Sequence, residues 1–139
     1  MAYDSNNIFA KIIRGEAPAF KVFEDAHTIA FMDIMPQAEG HTLVIPKEHA
    51  ESVFDLSPEG AAALIKTTQK VAAAVRQVTN APGILLAQLN GAAAGQTVFH
   101  IHFHIIPRSS GLDLELHARK IADFEQLKAL AAKIAAEVK

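Results

Sequence analysis

Three histidines spaced two residues apart are the strongest chemical signal in this sequence. His100, His102 and His104 stand within the run Val98-Phe99-His100-Ile101-His102-Phe103-His104-Ile105-Ile106, in which the other residues are apolar. Such a run predicts a β-strand, and the alternation of side chains along a strand would place the three imidazoles on one face. We therefore expect one face of this strand to carry catalytic groups and the other to pack in the core.

A row of imidazoles can bind a metal ion or a negatively charged substrate. Successive residues on one face of a strand are roughly 6.6 Å apart and the outer two roughly 13 Å, whereas a zinc–nitrogen bond is only about 2.1 Å. All three rings cannot reach one ion without distorting the strand, although two of them could with a ligand from elsewhere. An extended anionic substrate suits the row better, and metal binding stays an alternative.

The composition limits the class of protein. The chain has 139 residues, half of them hydrophobic, which is enough for one domain with a sizeable core. It contains no cysteine and therefore no disulfide, thiol nucleophile or thiolate metal site. Its net charge of −2 gives no electrostatic signature of nucleic-acid binding. With no long apolar run and no leader at Met1, we expect no membrane association and a cytoplasmic location.

Capping residues and apolar spacing predict three helices. Asn6 or Asn7 can cap the first helix, which Gly15 would end. Ser57 begins a long second helix whose apolar positions recur every three and four residues, so that one face packs on the sheet. The third helix is predicted over 123–138, with its first residues spaced as a capping box.

Short apolar runs between turn formers predict five strands. In chain order they cover residues 21–24, 28–32, 41–45, 83–90 and 98–107. The last two strands are joined by a loop, Gly91 to Thr97, that has a second glycine at Gly95. Glycines let backbone amides approach a ligand closely, and concave groups of amides favour anions. The loop is therefore a candidate phosphate-binding loop that leads directly into the histidine strand.

The histidine run resembles the signature of the histidine triad (HIT) superfamily, in which three histidines alternate with apolar residues. Other segments resemble the same family in order and spacing: 8–16, 31–34, 40–49 and 94–100. The bacterial Hint-like branch is the most similar in appearance. The resemblance implies an α+β domain with a five-stranded antiparallel sheet and flanking helices, usually paired into a homodimer. We expect one HIT domain over 1–139, with a core at about 8–108 and a C-terminal extension and helix at about 109–139.

The resemblance also implies a reaction. A nucleophile would attack the α-phosphorus of a nucleotide derivative, form a covalent nucleotidyl-histidine, and be released by water, with no metal or other cofactor. His102, the middle histidine, would be the nucleophile, and a backbone carbonyl or a carboxylate would orient it through its other ring N–H. His104 would contact phosphate oxygens. His100 would hold neighbouring groups and form a hydrogen-bonded relay with His41.

Further residues are implied to bind the substrate. Gln96 and Thr97 would contact the phosphate and leaving group, together with backbone N–H groups from Gly95 onwards. Asp33 would accept hydrogen bonds from the ribose hydroxyls, and Ile34 would line the nucleoside pocket. A turn role for Asp33 and strand packing for Ile34 are the structural alternatives.

Two departures from the family pattern bear on these expectations. Many bacterial relatives carry a Cys-x-x-Cys pair that helps bind a structural zinc, and Asn7 and Ala10 stand in those places here. We therefore predict no such zinc site, although His49 and His100 could have contributed to one. Relatives often have a polar residue where this chain has Leu89, and Asn90, one position later, is the candidate replacement.

Three functions are compatible with these residues. The first is cleavage of purine nucleoside phosphoramidates or related acyl nucleotides. The second is hydrolysis of dinucleoside polyphosphates by the same nucleophile, and Pro107-Arg108 is shared with that branch. The third is binding of a nucleotide or partner without catalysis. His117 and Arg119, in the C-terminal extension, could reach a leaving group but fit a surface position better.

Overall fold

Five antiparallel strands form one sheet in the part of the chain that this computed structural model describes, residues 2–109 and 121–139. The strands are β1 (Lys21–Glu24), β2 (Thr28–Met32), β3 (Thr42–Pro46), β4 (Gly83–Ala87) and β5 (Phe103–Arg108), in the spatial order β1-β2-β3-β5-β4. Three helices accompany them: α1 (Ile8–Ile13), α2 (Pro58–Thr79) and α3 (Phe124–Glu137). The α+β class and the antiparallel sheet agree with the sequence-based prediction.

Both faces of the central strands are covered. Every residue of β2 and β3 is buried, and the alternation of side chains divides them into two clusters. On one face Ala30 and Val44 pack with residues of α2 and α3. On the other, Phe31 and Leu43 pack with Phe9 and other residues of the six-residue helix α1. The sheet is thus a middle layer, with the long helices α2 and α3 on one side and the short helix α1 on the other.

The helix starts confirm the predicted capping residues. The Asn7 side chain accepts from the Ala10 amide, and the Ser57 hydroxyl accepts from the Gly60 amide. The carboxylate of Glu48 in turn accepts from the amide and the hydroxyl of Ser57. The Asp123 side chain accepts from the amides of the first turn of α3. Side-chain oxygens therefore satisfy N–H groups that have no partner within the helix itself.

The histidine strand is shorter than predicted. It begins at Phe103 and not at Val98, so His104 lies within it while His100 and His102 precede it. Pro46, at the end of β3, has no N–H to donate to a neighbouring strand, and its carbonyl accepts from Nε2 of His100. The amide of Ile101 donates to the carbonyl of Ala50, beyond β3. The ladder therefore ends at this point, and the expectation of three imidazoles in register on one strand face was wrong.

The other limits of the elements differ less. β4 ends at Ala87, three residues before the predicted end, and β3 is shifted by one residue. Within the described ranges, no helix has the length and apolar character to cross a membrane. His117 and Arg119 lie outside the described residues.

Gly15 and Gly40 both have positive φ, but only Gly40 is tightly surrounded by other atoms. Alanine substitutions at the two positions therefore distinguish the cost of backbone strain from the cost of a steric clash. At Gly15, with φ +77°, an added Cβ would have nothing within 4 Å, whereas a Cβ on Gly40, at φ +98°, would lie 2.7 Å from Cγ2 of Thr79. We expect Gly15→Ala to lower the free energy of unfolding by about 1 kcal/mol and Gly40→Ala by about 3 kcal/mol, because the second adds overpacking to the strain. Urea unfolding of both variants measures this, and equal losses would contradict the steric contribution at Gly40.

Candidate active site

Two histidines that are far apart in the sequence meet where β3 and β5 pair. His104 lies opposite Leu43 in the sheet, and His41 precedes β3 by one residue. Nε2 of His41 and Nδ1 of His104 are 3.0 Å apart, and the ring centroids are 5.2 Å apart. The ring of His102 is 4.9 Å from that of His104. The structure thus brings three of the four predicted histidines into one cluster.

A backbone carbonyl fixes the orientation of His102. Its Nδ1 lies 2.7 Å from the carbonyl oxygen of His100, and a carbonyl can only accept a hydrogen bond. The proton of the neutral ring is therefore on Nδ1, and Nε2 keeps its lone pair. Phe9 packs edge-on against this ring at 4.9 Å. His102 accordingly offers one defined lone pair, on Nε2.

The tautomers of His41 and His104 follow from the same argument. The backbone amide of Gln37 donates to Nδ1 of His41 over 3.0 Å, so the proton of this neutral ring is on Nε2. Nε2–H of His41 then donates to Nδ1 of His104. Nε2 of His104 must carry a proton and is a hydrogen-bond donor. A lone pair on His102 and an N–H on His104 are a suitable combination for attack at phosphorus beside an anionic oxygen.

His100 does not form the predicted relay with His41. Its Nε2 donates to the carbonyl of Pro46 over 2.7 Å, and its Nδ1 accepts from the hydroxyl of Tyr3. Both ring nitrogens of His41 are occupied as well, by Gln37 and His104. The pairing of His41 with His100 was therefore wrong, and His104 is the partner of His41. His100 does hold its neighbours, because side chain and carbonyl both form hydrogen bonds.

Burial keeps the imidazoles of the site neutral. Removal from water lowers the pKa of His41 to about 3 and the pKa values of His100 and His104 to about 4. Neighbouring histidines add a smaller contribution in the same direction. Burial also lowers the pKa of His102, against a smaller opposing contribution from the His100 carbonyl. At neutral pH the rings are thus free bases, as the tautomer assignments require.

Asp33 lies at the edge of the histidine cluster, after β2. One carboxylate oxygen accepts from the amide of Met35, and the other is 3.5 Å from Nε2 of His41. Burial raises the pKa of Asp33, and since His41 is neutral this contact is not an ion pair near pH 7. The turn role considered for Asp33 is therefore present in the structure. The neighbouring Ile34 is 44% exposed and lies after the end of β2, so it is not packed in a strand.

The glycine-rich loop is braced by side chains that were predicted to bind phosphate. The Gln96 amide group donates to the carbonyls of Glu51 and Val98, and its oxygen accepts from the amide of Gly91. Both N–H groups of this side chain are used, so the predicted phosphate contact of Gln96 is not available in this geometry. Gln96 is instead a buried brace of the loop.

Other predicted contacts of this loop are revised in the same way. The backbone amide of Gly95 donates to the carbonyl of Ala92, and that of Gln96 donates to Gly91, so these amides do not form the expected anion cradle. The Asn90 side chain accepts from the Val53 amide and is paired with Gln88. Asn90 thus connects the loop to the segment after β3. Thr97, in contrast, is exposed and keeps its predicted role as a phosphate contact open.

One group of side chains could hold a metal ion within the described residues. Single ligand atoms of Asp33, His41 and His104 lie within 4.8 Å of one another. A histidine that binds a metal through Nε2 needs a proton on Nδ1, whereas Nδ1 of His41 accepts from the Gln37 amide. The hydrogen-bond pattern therefore favours a proton, and not a metal, between His41 and His104.

The groups that hold His100 cannot be recognised from the sequence pattern. Tyr3 stands in no motif, and the carbonyls of Pro46 and Ala50 carry no side-chain signal. Phe9 lies in the first predicted helix, and its contact with His102 leaves no signal in the sequence. The one available sequence signal was that Tyr3 is the only tyrosine of the chain.

Comparison with known proteins gives independent evidence on the family and the fold of this chain. The family model described as "HIT domain" matches residues 14–111. Protein hit of Bacillus subtilis (strain 168) is 48% identical over 103 residues, which are 74% of this chain and 71% of that protein. The adenosine 5'-monophosphoramidase hnt1 of Schizosaccharomyces pombe is 39% identical over 135 residues, which are 95% of this chain and 98% of that protein. The crystal structure of a Hit-like protein from Bartonella henselae has a TM-score of 0.92 and 50% sequence identity, and 99% of each chain is covered.

The lowered pKa values predict how stability depends on pH. An unfolded histidine has a pKa of about 6.5, whereas His41 and His104 titrate at about 3 and about 4. Between pH 6.5 and 4 the unfolded chain binds more protons, so the free energy of unfolding falls as pH falls, by up to about 1.4 kcal/mol per pH unit for each buried ring. Urea unfolding from pH 7.5 to 4.5 measures this slope. The double variant His41→Asn/His104→Asn should have a smaller slope, and a slope equal to that of wild type would contradict the assignment.

Proposed function

The chain belongs to the HIT domain family, and we propose that it is a nucleotidyl hydrolase or transferase acting on purine nucleoside phosphoramidates or related acyl nucleotides. The observation that carries the proposal is the bond from Nδ1 of His102 to the His100 carbonyl, which leaves Nε2 with a free lone pair. The S. pombe relative, named adenosine 5'-monophosphoramidase, supports this substrate class.

The reaction would proceed in two displacements at the α-phosphorus. Nε2 of His102 attacks phosphorus, a P–N bond to the ring forms, and the P–N bond to the leaving amine breaks. The amine departs with a proton taken up from water, and the ring carries a nucleotidyl group and a positive charge. Water then attacks phosphorus, the P–N bond to His102 breaks, and the proton taken up in the first step is released. The sum is one phosphoramidate and one water converted to a nucleotide and an amine.

The neighbouring groups fit this sequence of steps. Nε2–H of His104 would donate to a phosphate oxygen, and its orientation depends on His41 through the 3.0 Å bond. Thr97, exposed at the end of the glycine-rich loop, would contact the phosphate or the leaving group. Gln96 and Gly95 would shape the loop and not bind the phosphate themselves. Asp33 and Ile34 would contact the ribose and the base.

The assembly and domain organisation are also part of the proposal. A single HIT domain would cover 1–139, with a core at about 8–108 and the extension and helix at about 109–139. We propose a homodimer, and β4, which is an edge strand of the sheet and has Leu86 45% exposed, offers one side without a neighbouring strand for such contact. No resident cofactor, nucleic acid or membrane partner is proposed.

Replacement of the nucleophile gives the first test. With an adenosine phosphoramidate in buffer containing a chelator, wild type should release AMP and form an adenylyl adduct that can be trapped and detected by intact-mass spectrometry. His102→Ala should lose both, with kcat reduced at least about a thousandfold. His27→Ala, at an exposed turn, is the matched histidine control and should keep both. Turnover by His102→Ala would contradict the assignment of His102 as the nucleophile.

The same experiment separates the alternatives. Turnover of a dinucleoside polyphosphate but not of the phosphoramidate would assign the chain to that branch of the family. Binding of a purine nucleotide without turnover of either compound would favour a role in nucleotide binding alone. Activity lost with chelator and restored by a divalent metal would contradict the metal-free mechanism.

Asp33 allows a test of nucleoside recognition. If its carboxylate accepts from the ribose hydroxyls, Asp33→Ala should raise KM for the ribonucleoside substrate about tenfold or more, because each lost bond to a charged acceptor costs about 1.5–3 kcal/mol. For the matching 2',3'-dideoxy substrate the same substitution should have little effect. An equal rise in KM for both substrates would assign Asp33 to the turn alone.

A further inference from the structure

Tyr3 contacts two histidines, His100 and His49. Its hydroxyl donates to Nδ1 of His100 over 2.5 Å, and its ring is stacked on that of His49, with centroids 4.7 Å apart and planes 11° apart. The Tyr3 ring also meets His100 edge-on, at 5.6 Å and 71°. Tyr3 is thus held by ring stacking on His49, while its hydroxyl is hydrogen-bonded to the fully buried imidazole of His100.

The direction of this hydrogen bond follows from the other nitrogen of His100. Nε2 lies 2.7 Å from the carbonyl of Pro46 and must donate to it. Nδ1 of the neutral ring is therefore an acceptor, and the Tyr3 hydroxyl is its donor. Burial raises the pKa of Tyr3, so the hydroxyl keeps its proton at neutral pH. Without it, a buried acceptor would have no partner.

The backbone at His100 lacks the support that a strand would give. Residues 98–102 lie outside the sheet ladder, because β5 starts at Phe103. At its start, the Val98 carbonyl accepts from the Gln96 side chain. Near His100 the stretch is held by the Ala50 carbonyl, which accepts from the Ile101 amide, by the Pro46 carbonyl and by the Tyr3 hydroxyl. These contacts fix the direction of the His100 carbonyl, which is the group that orients His102.

We propose that Tyr3 is a positioning residue for the nucleophile: its hydroxyl fixes the His100 side chain, and the His100 carbonyl then holds Nδ1–H of His102. It does not touch the reacting atoms in this arrangement. Its contribution is to keep Nε2 of His102 unprotonated and aimed at the substrate. The kinetic part of this inference rests on the proposed function, whereas the tautomer of His102 can be measured without any substrate.

The substitution Tyr3→Phe removes the hydroxyl and keeps the ring that stacks on His49. In wild type, ring ¹⁵N NMR at pH 7 should find His102 with its proton on Nδ1. In Tyr3→Phe the two ring nitrogens should move part of the way towards an average of both tautomers, because one of the three contacts that fix the accepting carbonyl is lost. Asn6→Ala, at an exposed position in the same segment, is the control and should leave the His102 signals unchanged.

Kinetics supply the second measurement. With the adenosine phosphoramidate, Tyr3→Phe should lower kcat on the order of tenfold, short of the hundredfold that a displacement of about 1 Å can cost. KM and the Kd for AMP should stay within about twofold, since Asp33 and the loop after β4 are untouched. Thermal unfolding checks that the variant is folded at the assay temperature.

The outcomes are separable. A changed His102 tautomer in Tyr3→Phe supports the proposal even if no substrate is turned over by wild type, in which case only the proposed function fails. A folded variant with an unchanged tautomer and an unchanged kcat overturns the proposal, and Tyr3 would then only stabilise the fold. If Tyr3→Phe does not fold, His49→Leu, which removes the stacking but keeps the hydroxyl, replaces it. If His102 keeps its wild-type tautomer in His49→Leu, the proposal that a fixed Tyr3 orients His102 is contradicted.

Discussion

The hydrogen bond between Nδ1 of His102 and the carbonyl of His100 is the constraint on which the site depends. It joins residues only two positions apart, yet neither end is set by regular secondary structure, because the chain at 98–102 is outside the sheet ladder. The direction of the carbonyl comes from contacts with three separate parts of the chain, at Tyr3, Pro46 and Ala50. Which nitrogen of His102 keeps its lone pair is thus a property of the tertiary fold.

Burial adds a second constraint. Neutral imidazoles have one donor and one acceptor each, so a chain of them has a defined direction only while every ring stays unprotonated. Burial secures this, since it lowers the pKa values of the site histidines well below neutral pH. The donor chain from Gln37 through His41 to His104 then ends in one N–H. A more exposed site would titrate near pH 6.5 and lose that direction.

The layers of the fold explain why the site lies where it does. Helices α2 and α3 cover one face of the sheet, and α1, only six residues long, covers part of the other. His104 and Leu43 are opposite each other in the sheet and therefore lie on the α1 face. Phe9 of α1 packs against His102 from the same side. The short helix thus borders the histidine cluster, and the segment around Gly91–Gln96 is braced to the turn after β3 by Gln96 and Asn90.

The sequence by itself determined the class of fold, the capping residues Ser57 and Asp123, the presence of five strands and the family, and it narrowed the first cap to Asn6 or Asn7. These features depend on local periodicity and on contiguous motifs, which can be read along the chain. Only the tertiary structure decided that β5 starts at Phe103, that His41 pairs with His104, and that Gln96 and Asn90 brace a loop. Each of these depends on hydrogen-bond partners distant in sequence or on a backbone carbonyl, and such groups leave no pattern among the residues that they bind.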